Sequence, residues 1–318
     1  MAVAVALNPE GVMLAQASIH LRARGQAGSL ARPWMLASTS MTRVGKDVTT
    51  AVLSTPTDAG TLVTTTIARW VAARDPAAPP LVIGLCAPQG AGKSTIAAAI
   101  AAAVPGTAVL SLDDLYLDVA ARERLAATVH PLLRTRGVPG THDVTLGLSV
   151  IADLVAVVPV ALPRFDKTTD APRPVADWPV VTAPRLIVFE GWCLGVSPEP
   201  ATALAAPVNA LEAGEDADGV WRGFVNAQLA GPYRALWACL DRLIVLRAPD
   251  FATVVGWRTA AEAALGPGLA VMTPAAVARF CAHYERLTRH AAAVLPDRAD
   301  LVIDLAADRT VAFVAPRG

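Results

Sequence analysis

Residues 81–86 read LVIGLC, residues 87–95 read APQGAGKST, and the run that follows from Ile96 to Val104 is IAAAIAAAV. An apolar strand, a glycine turn and a helix of small residues are the context in which G-x-x-x-x-G-K-[ST] is a phosphate-binding Walker A loop. Gln89, Gly90, Ala91, Gly92, Lys93, Ser94 and Thr95 are therefore the residues expected to hold ATP. Glycines let backbone amides turn toward a β-phosphate, and the helix N-terminus adds a favourable dipole. Lys93 neutralises β and γ oxygens and Ser94 ligates Mg²⁺. Ala87 stands where the motif begins with glycine. A negative φ accommodates it, and Gly90 then supplies the flexible position. No G-x-G-x-x-G is present in the loop, so it is not a dinucleotide fingerprint.

Outward from this loop, short β-type runs alternate with helical stretches, the pattern of a mostly parallel α/β sheet. Strands are expected at 81–86, 108–112, 160–164, 186–189, 242–246 and 301–303. Helices are expected at 57–73, 94–104, 144–157, 221–239, 251–264 and 274–294. The expected fold is a three-layer P-loop NTPase domain over 81–318, with a helical lid and an N-terminal appendage. Residues 46–80 read as a helical segment and a Pro-rich linker. Residues 1–45, with several arginines, a single acid (Glu10) and no hydrophobic periodicity, read as a disordered extension or a misassigned start. The stretch 197–218, rich in Ala, Pro and acids, reads as a solvated insertion.

Composition narrows the function classes. The formal net charge is zero, which gives no basic footprint for nucleic acid or a membrane surface. A small-molecule partner is the default. The uncharged run from Thr95 to Leu112 is broken by Pro105-Gly106 into pieces too short to span a bilayer. Four cysteines without a C-x-x-C pair argue against disulfides and zinc and fit a reducing cytoplasm. Lysine occurs only at 46, 93 and 167, against a background of arginine. Retained lysine at two motif positions points to chemistry that needs a compact ammonium.

Two further runs carry acids. AVLSL ends in Asp113-Asp114-Leu-Tyr116, where a carboxylate beside the phosphate loop can accept the proton of an attacking hydroxyl. LIVFEGW is an apolar strand ending in Glu190, the form of a Walker B carboxylate that orients Mg²⁺ or its water.

Taken together, APQGAGKST, LSLDDLYL, RGVPGTHDV, LPRFDKT, LIVFEGWCLGV and the late MTPAAVARFCAHYERLTRH make the chain resemble the D-glycerate 3-kinase family. That family lies within the phosphoribulokinase, uridine kinase and pantothenate kinase group, and the likeness runs in order from about 81 to 305. The resemblance implies an ATP-dependent transfer to a hydroxyl of D-glycerate, giving 3-phosphoglycerate, with Asp113 as base and Arg258 as the lid arginine near the phosphates. One departure stands out. Family members carry a glycine-containing loop ending in G-D-R after D-K-[ST], whereas Thr169-Asp170-Ala171-Pro172-Arg173 is shorter and lacks those glycines.

A glycerate site needs fixed cations and hydrogen-bond partners. His142, Asp143, Arg164, Asp166, Lys167 and Arg173 supply that chemistry. Thr141 or Asp143 equally reads as a helix N-cap. Tyr116 and Asn226 are weaker candidates, and Trp192, Trp237 and Trp257 read as packing residues. Competing readings are a kinase for a nucleoside, pantothenate or sugar phosphate, and a nucleotide-binding regulatory module. The Asp113 carboxylate and the absence of N-K-x-D weigh against the last.

Overall fold

The computed structural model describes residues 58–264 and 272–316. The expected extension over 1–45 lies outside them. Helix α1 (Ala59–Ala72) starts where Asp58 accepts a hydrogen bond from the Thr61 amide. Then come β1 (Leu81–Cys86), α2 (Lys93–Ala103), β2 (Thr107–Ser111), α3 (Val119–Thr128) and α4 (Val144–Val155). Four two-residue strands follow: β3 (Val160–Ala161), β4 (Phe165–Asp166), β5 (Ala171–Pro172) and β6 (Val180–Val181). The chain continues through β7 (Leu186–Gly191), α5 (Ala210–Glu215), α6 (Val220–Ala230), α7 (Pro232–Trp237), β8 (Arg242–Arg247), α8 (Phe251–Ala263), α9 (Pro274–Val294), β9 (Leu301–Leu305) and β10 (Val311–Pro316).

One six-stranded sheet has the order β10-β9-β8-β1-β7-β2, parallel except for β10, which pairs antiparallel with β9. Every residue of β1 and β7 is buried, as for strands covered on both faces. One apolar cluster joins Val63, Ile67, Ile83, Leu85, Ile96 and Ile100 on the side of α1 and α2. A larger one joins Leu110, Ile151, Phe189, Tyr233, Leu236 and Leu287 on the side of α4, α7 and α9. The result is the expected three layers, with β1 central and its C-terminal end feeding the phosphate loop.

Several expectations need correction. Residues 160–164 are not a core strand. Pro159 and Pro163 bracket the run and remove ladder donors, so only Val160–Ala161 pairs, and with Val180–Val181 in a separate ribbon. The helix expected over 221–239 is two, α6 and α7, because Pro232 has no amide to continue the ladder after Gly231. Helix α3 and strand β10 were not expected. The stretch 197–218 is not merely solvated: it carries α5, whose Glu212 is fully buried against Arg286 of α9, with Nε and Nη2 of the arginine at 2.8 and 2.7 Å from the two carboxylate oxygens.

Candidate active site

The phosphate loop leaves β1 at Cys86 and enters α2 at Lys93 through Gly90 (φ 75°) and Gly92 (φ 89°), two left-handed positions that favour glycine. Gly90 is confined as well: a Cβ there would lie 2.7 Å from Cβ and 2.9 Å from the backbone carbon of Trp257 on α8. Ala87 is not among the residues with positive φ, so alanine fits where the motif begins with glycine. Lys93 donates from Nζ to the Pro88 carbonyl at 3.0 Å, folding back over the loop.

Strand register places the carboxylate of β7 beside this loop. Glu190 pairs with Leu85 on one side and Ser111 on the other. Its Oε1 accepts from Ser111 Oγ at 2.8 Å and from Ser94 Oγ at 3.2 Å. Three oxygen-bearing side chains thus converge at the start of α2, a donor set that suits a hard divalent cation such as Mg²⁺.

The consecutive acids after β2 face different surroundings because Leu112–Leu115 forms a single 3₁₀ turn. Asp113 receives the Tyr116 hydroxyl at 2.6 Å on Oδ1 and Lys167 Nζ at 2.5 Å on Oδ2. Burial is the largest single influence and would raise its pKa, but the Lys167 ammonium, the hydrogen bonds from Lys167 and Tyr116 and the charge of Lys93 together outweigh it and bring the pKa down to about 2. Asp114 turns inward, taking the Phe165 amide at 3.0 Å and Arg164 Nη1 at 3.3 Å. Burial dominates there and shifts its pKa upward. Asp114 thus tethers the β4 segment, while Asp113 borders open space.

That space is a cleft of about 400 Å³. Its phosphate end is lined by Gln89, Gly90, Gly92, Lys93, Ser94, Thr95 and Glu190, and its far end by Asp113, Tyr116, Arg136, Lys167 and Trp192. Arg258, Ala261, Phe280 and Tyr284 close it from α8 and α9. Ala91 is buried and is not part of the lining. Arg258 is held by Glu262 one turn along α8, Nη2 to Oε2 at 2.5 Å, with its guanidinium 5.4 Å from the centre of the Phe280 ring.

Of the residues singled out for the acceptor, Lys167 and the weaker candidate Tyr116 line the cleft, and the others do not. His142 is buried behind it, stacked on Tyr116 at 4.9 Å and bonded through Nδ1 to the Tyr233 hydroxyl at 2.6 Å. Burial lowers its pKa to about 4, so it is neutral near pH 7. Asp143 caps α4 by accepting the Leu146 amide at 2.8 Å. Arg164 is paired with Asp114. Asp166 accepts from the amide and hydroxyl of Thr168 in an exposed turn, and Arg173 is exposed just after β5. Asn226 is bonded to the backbone of Glu199 through both ends of its amide.

Sequence reasoning missed Arg136, Phe280 and Tyr284, and gave Trp192 only a packing role. Arg136 opens the RGVPGTHDV run, so its signal was present but lay outside the residues singled out. Trp192 directly follows β7 and the other two sit on α9, positions that read as core, and they are both core and wall: Trp192 meets Tyr284 edge-on at 4.9 Å, and Tyr284 meets Phe280 at 4.9 Å.

The chain is similar to several known proteins. The chloroplastic D-glycerate 3-kinase of Arabidopsis thaliana is 33% identical over 222 residues, covering 65% of this chain and 46% of that protein. This chain therefore spans less than half the length of that relative. A fission-yeast protein described as the uncharacterized kinase mug58 is 30% identical over 224 residues, covering 64% of this chain and 78% of its own. The chain belongs to the D-glycerate 3-kinase family. The fold of the family is seen in the D-glycerate 3-kinase of Cryptococcus neoformans, which superposes with a TM-score of 0.65 at 23% identity over 80% of this chain and 97% of that one. No protein-family model matches the chain. No helix among the described residues is long and apolar enough to cross a membrane.

Proposed function

We propose that this protein transfers the γ-phosphoryl group of ATP to a hydroxyl of D-glycerate, giving 3-phosphoglycerate and ADP. The observation that carries this reading is the single cleft that joins Lys93 at its phosphate end to the Asp113–Lys167 pair at its far end. The names of the relatives support the acceptor.

In this reading the loop amides and Lys93 hold the β- and γ-phosphates. Gln89 Nε2 and Arg258 Nε are buried without hydrogen-bond partners, and nucleotide oxygens would satisfy such donors. Ser94 and Glu190 would hold Mg²⁺, which neutralises charge on the transferring phosphates. Asp113, ionised near neutral pH, accepts the acceptor's hydroxyl proton as its oxygen bonds to the γ-phosphorus and the bond to the β–γ bridging oxygen breaks. Tyr116 and Lys167 fix the carboxylate for that task, and Arg258 draws charge from the phosphates. A cytoplasmic setting belongs to the same reading and is supported by four free thiols, with Cys86 pushed up to about 12 by burial.

The test is a coupled ADP assay of the full chain with ATP, Mg²⁺ and a panel of D-glycerate, L-glycerate, glycerol, pantothenate and nucleosides. D-glycerate should give the highest kcat/KM. Turnover of a nucleoside or pantothenate above that of glycerate would assign the site to another acceptor, and ATP binding without transfer to any of them would make the protein a nucleotide-binding module.

A further inference from the structure

Arg136 reaches the cleft from the loop between α3 and α4, and its surroundings are those of a built anion site. The backbone is locked from two sides: the Arg136 carbonyl accepts the Tyr284 hydroxyl at 2.8 Å, and the Gly137 carbonyl accepts Trp192 Nε1 at 2.9 Å. Gly137 sits at φ 124°, and a Cβ there would come within 2.1 Å of the Tyr284 hydroxyl, so this close approach needs glycine. The guanidinium lies 5.9 and 5.7 Å from the ring centres of Tyr116 and Phe165. Among the described residues only its Nη1 is hydrogen-bonded, to Asp170 Oδ1.

Asp170 does not cancel this charge. Its other oxygen belongs to Arg122, a buried guanidinium that also binds the carbonyls of Leu117 and Arg134. Two arginines share one carboxylate, so the group keeps one net positive charge, and Arg136 is the member that lines the cleft. Asp170 holds φ at 55°, a left-handed value that aspartate tolerates, in the short loop that departs from the family pattern. Tyr116 lies between the two ends of the far chamber, donating to Asp113 on one side with Arg136 against its ring. In that arrangement a short hydroxy acid would set its hydroxyl at Asp113 and its carboxylate at the free fork of Arg136.

We propose that Arg136 recognises the acceptor's carboxylate and is the residue that selects acids over neutral polyols, with Asp170 positioning it between two guanidinium groups. The role that sequence reasoning gave to Arg173 thus falls to Arg136. This inference rests on the reading of the acceptor as a hydroxy acid.

Steady-state kinetics of the full chain with D-glycerate and with glycerol, which lacks the carboxylate, test it. Loss of a charge-assisted hydrogen bond predicts that Arg136→Gln raises KM for D-glycerate about 10- to 150-fold. KM for ATP and kcat/KM for glycerol should change less than about threefold. Arg136→Lys, which keeps the charge without the fork, should fall between wild type and Arg136→Gln. It also serves as the test if the glutamine variant is insoluble. Asp170→Asn should lower the preference for glycerate over glycerol through KM with little change in kcat, a split that a general loss of folding would not give. A wild-type enzyme active on glycerate whose KM is unmoved by either Arg136 variant overturns the inference alone. A wild-type enzyme inactive on every hydroxy acid overturns the reading beneath it as well.

Discussion

Lys167 Nζ lies 2.5 Å from Asp113 Oδ2 although 53 residues separate them in sequence, and the pair lines the far end of the cleft with both side chains partly exposed. The ammonium keeps Asp113 ionised by favouring its charged form over the penalty of burial. One of the three lysines in the chain is thus placed on the acid proposed as base.

Removing that charge should shift the pH dependence. With its pKa about 2, the wild-type Asp113 carboxylate places no acid limb of its own on kcat/KM between pH 5 and 8. In Lys167→Met the opposing charge is gone and burial acts unopposed by it, so the pKa rises and an acid limb moves toward neutrality. A pH profile of kcat/KM measures this, and identical profiles for the two proteins would remove Lys167 from the role. The same sign governs stability. Asp113 is lowered from 3.8, so its contribution is present above pH 3.8 and is lost as pH falls toward 2.

Asp113 and Asp114 should separate by variant. Asp113→Asn is expected to bind ATP normally and to turn over about 10²- to 10⁴-fold more slowly, because an amide cannot take the proton. Asp114→Asn should lower thermal stability by about 1–2 kcal/mol through its weakened hold on Arg164 and the Phe165 amide, with kcat reduced less than tenfold. The reverse pattern in a stopped assay with matched melting curves would place the base on Asp114.

Lys93→Ala should impair nucleotide binding and transfer together, since Lys93 meets phosphate in both ground and transition states. Nucleotide affinity by calorimetry and single-turnover transfer would be measured side by side. Loss of one with the other intact contradicts a shared phosphate contact.

Breaking the buried pair between α5 and α9 should cost stability far from the cleft. Glu212→Ala leaves the buried Arg286 without its bidentate partner, for a loss of about 3–5 kcal/mol in chemical denaturation. A loss under about 1 kcal/mol would mean that water replaces the carboxylate.

The phosphate loop, the two central strands and the acid that ends β7 were legible in the residues alone, because these features are local. Gly90 and Gly92 must take left-handed backbone, β1 and β7 are buried on both faces and so read as apolar runs, and Asp143 marks a helix start by capping it. The sequence could not separate Asp113 from Asp114, since the turn that aims adjacent side chains differently is set by what packs against it: Phe165 and Arg164 take one acid, Lys167 the other. It also did not single out Arg136, which lines the cleft. Arg173 is close to the D-K-T motif in sequence yet exposed, whereas Arg136 is brought to the cleft by the Tyr284 and Trp192 bonds that fix its loop. Which charges share a cavity depends on contacts across tens of residues, and only the packed tertiary structure supplies them.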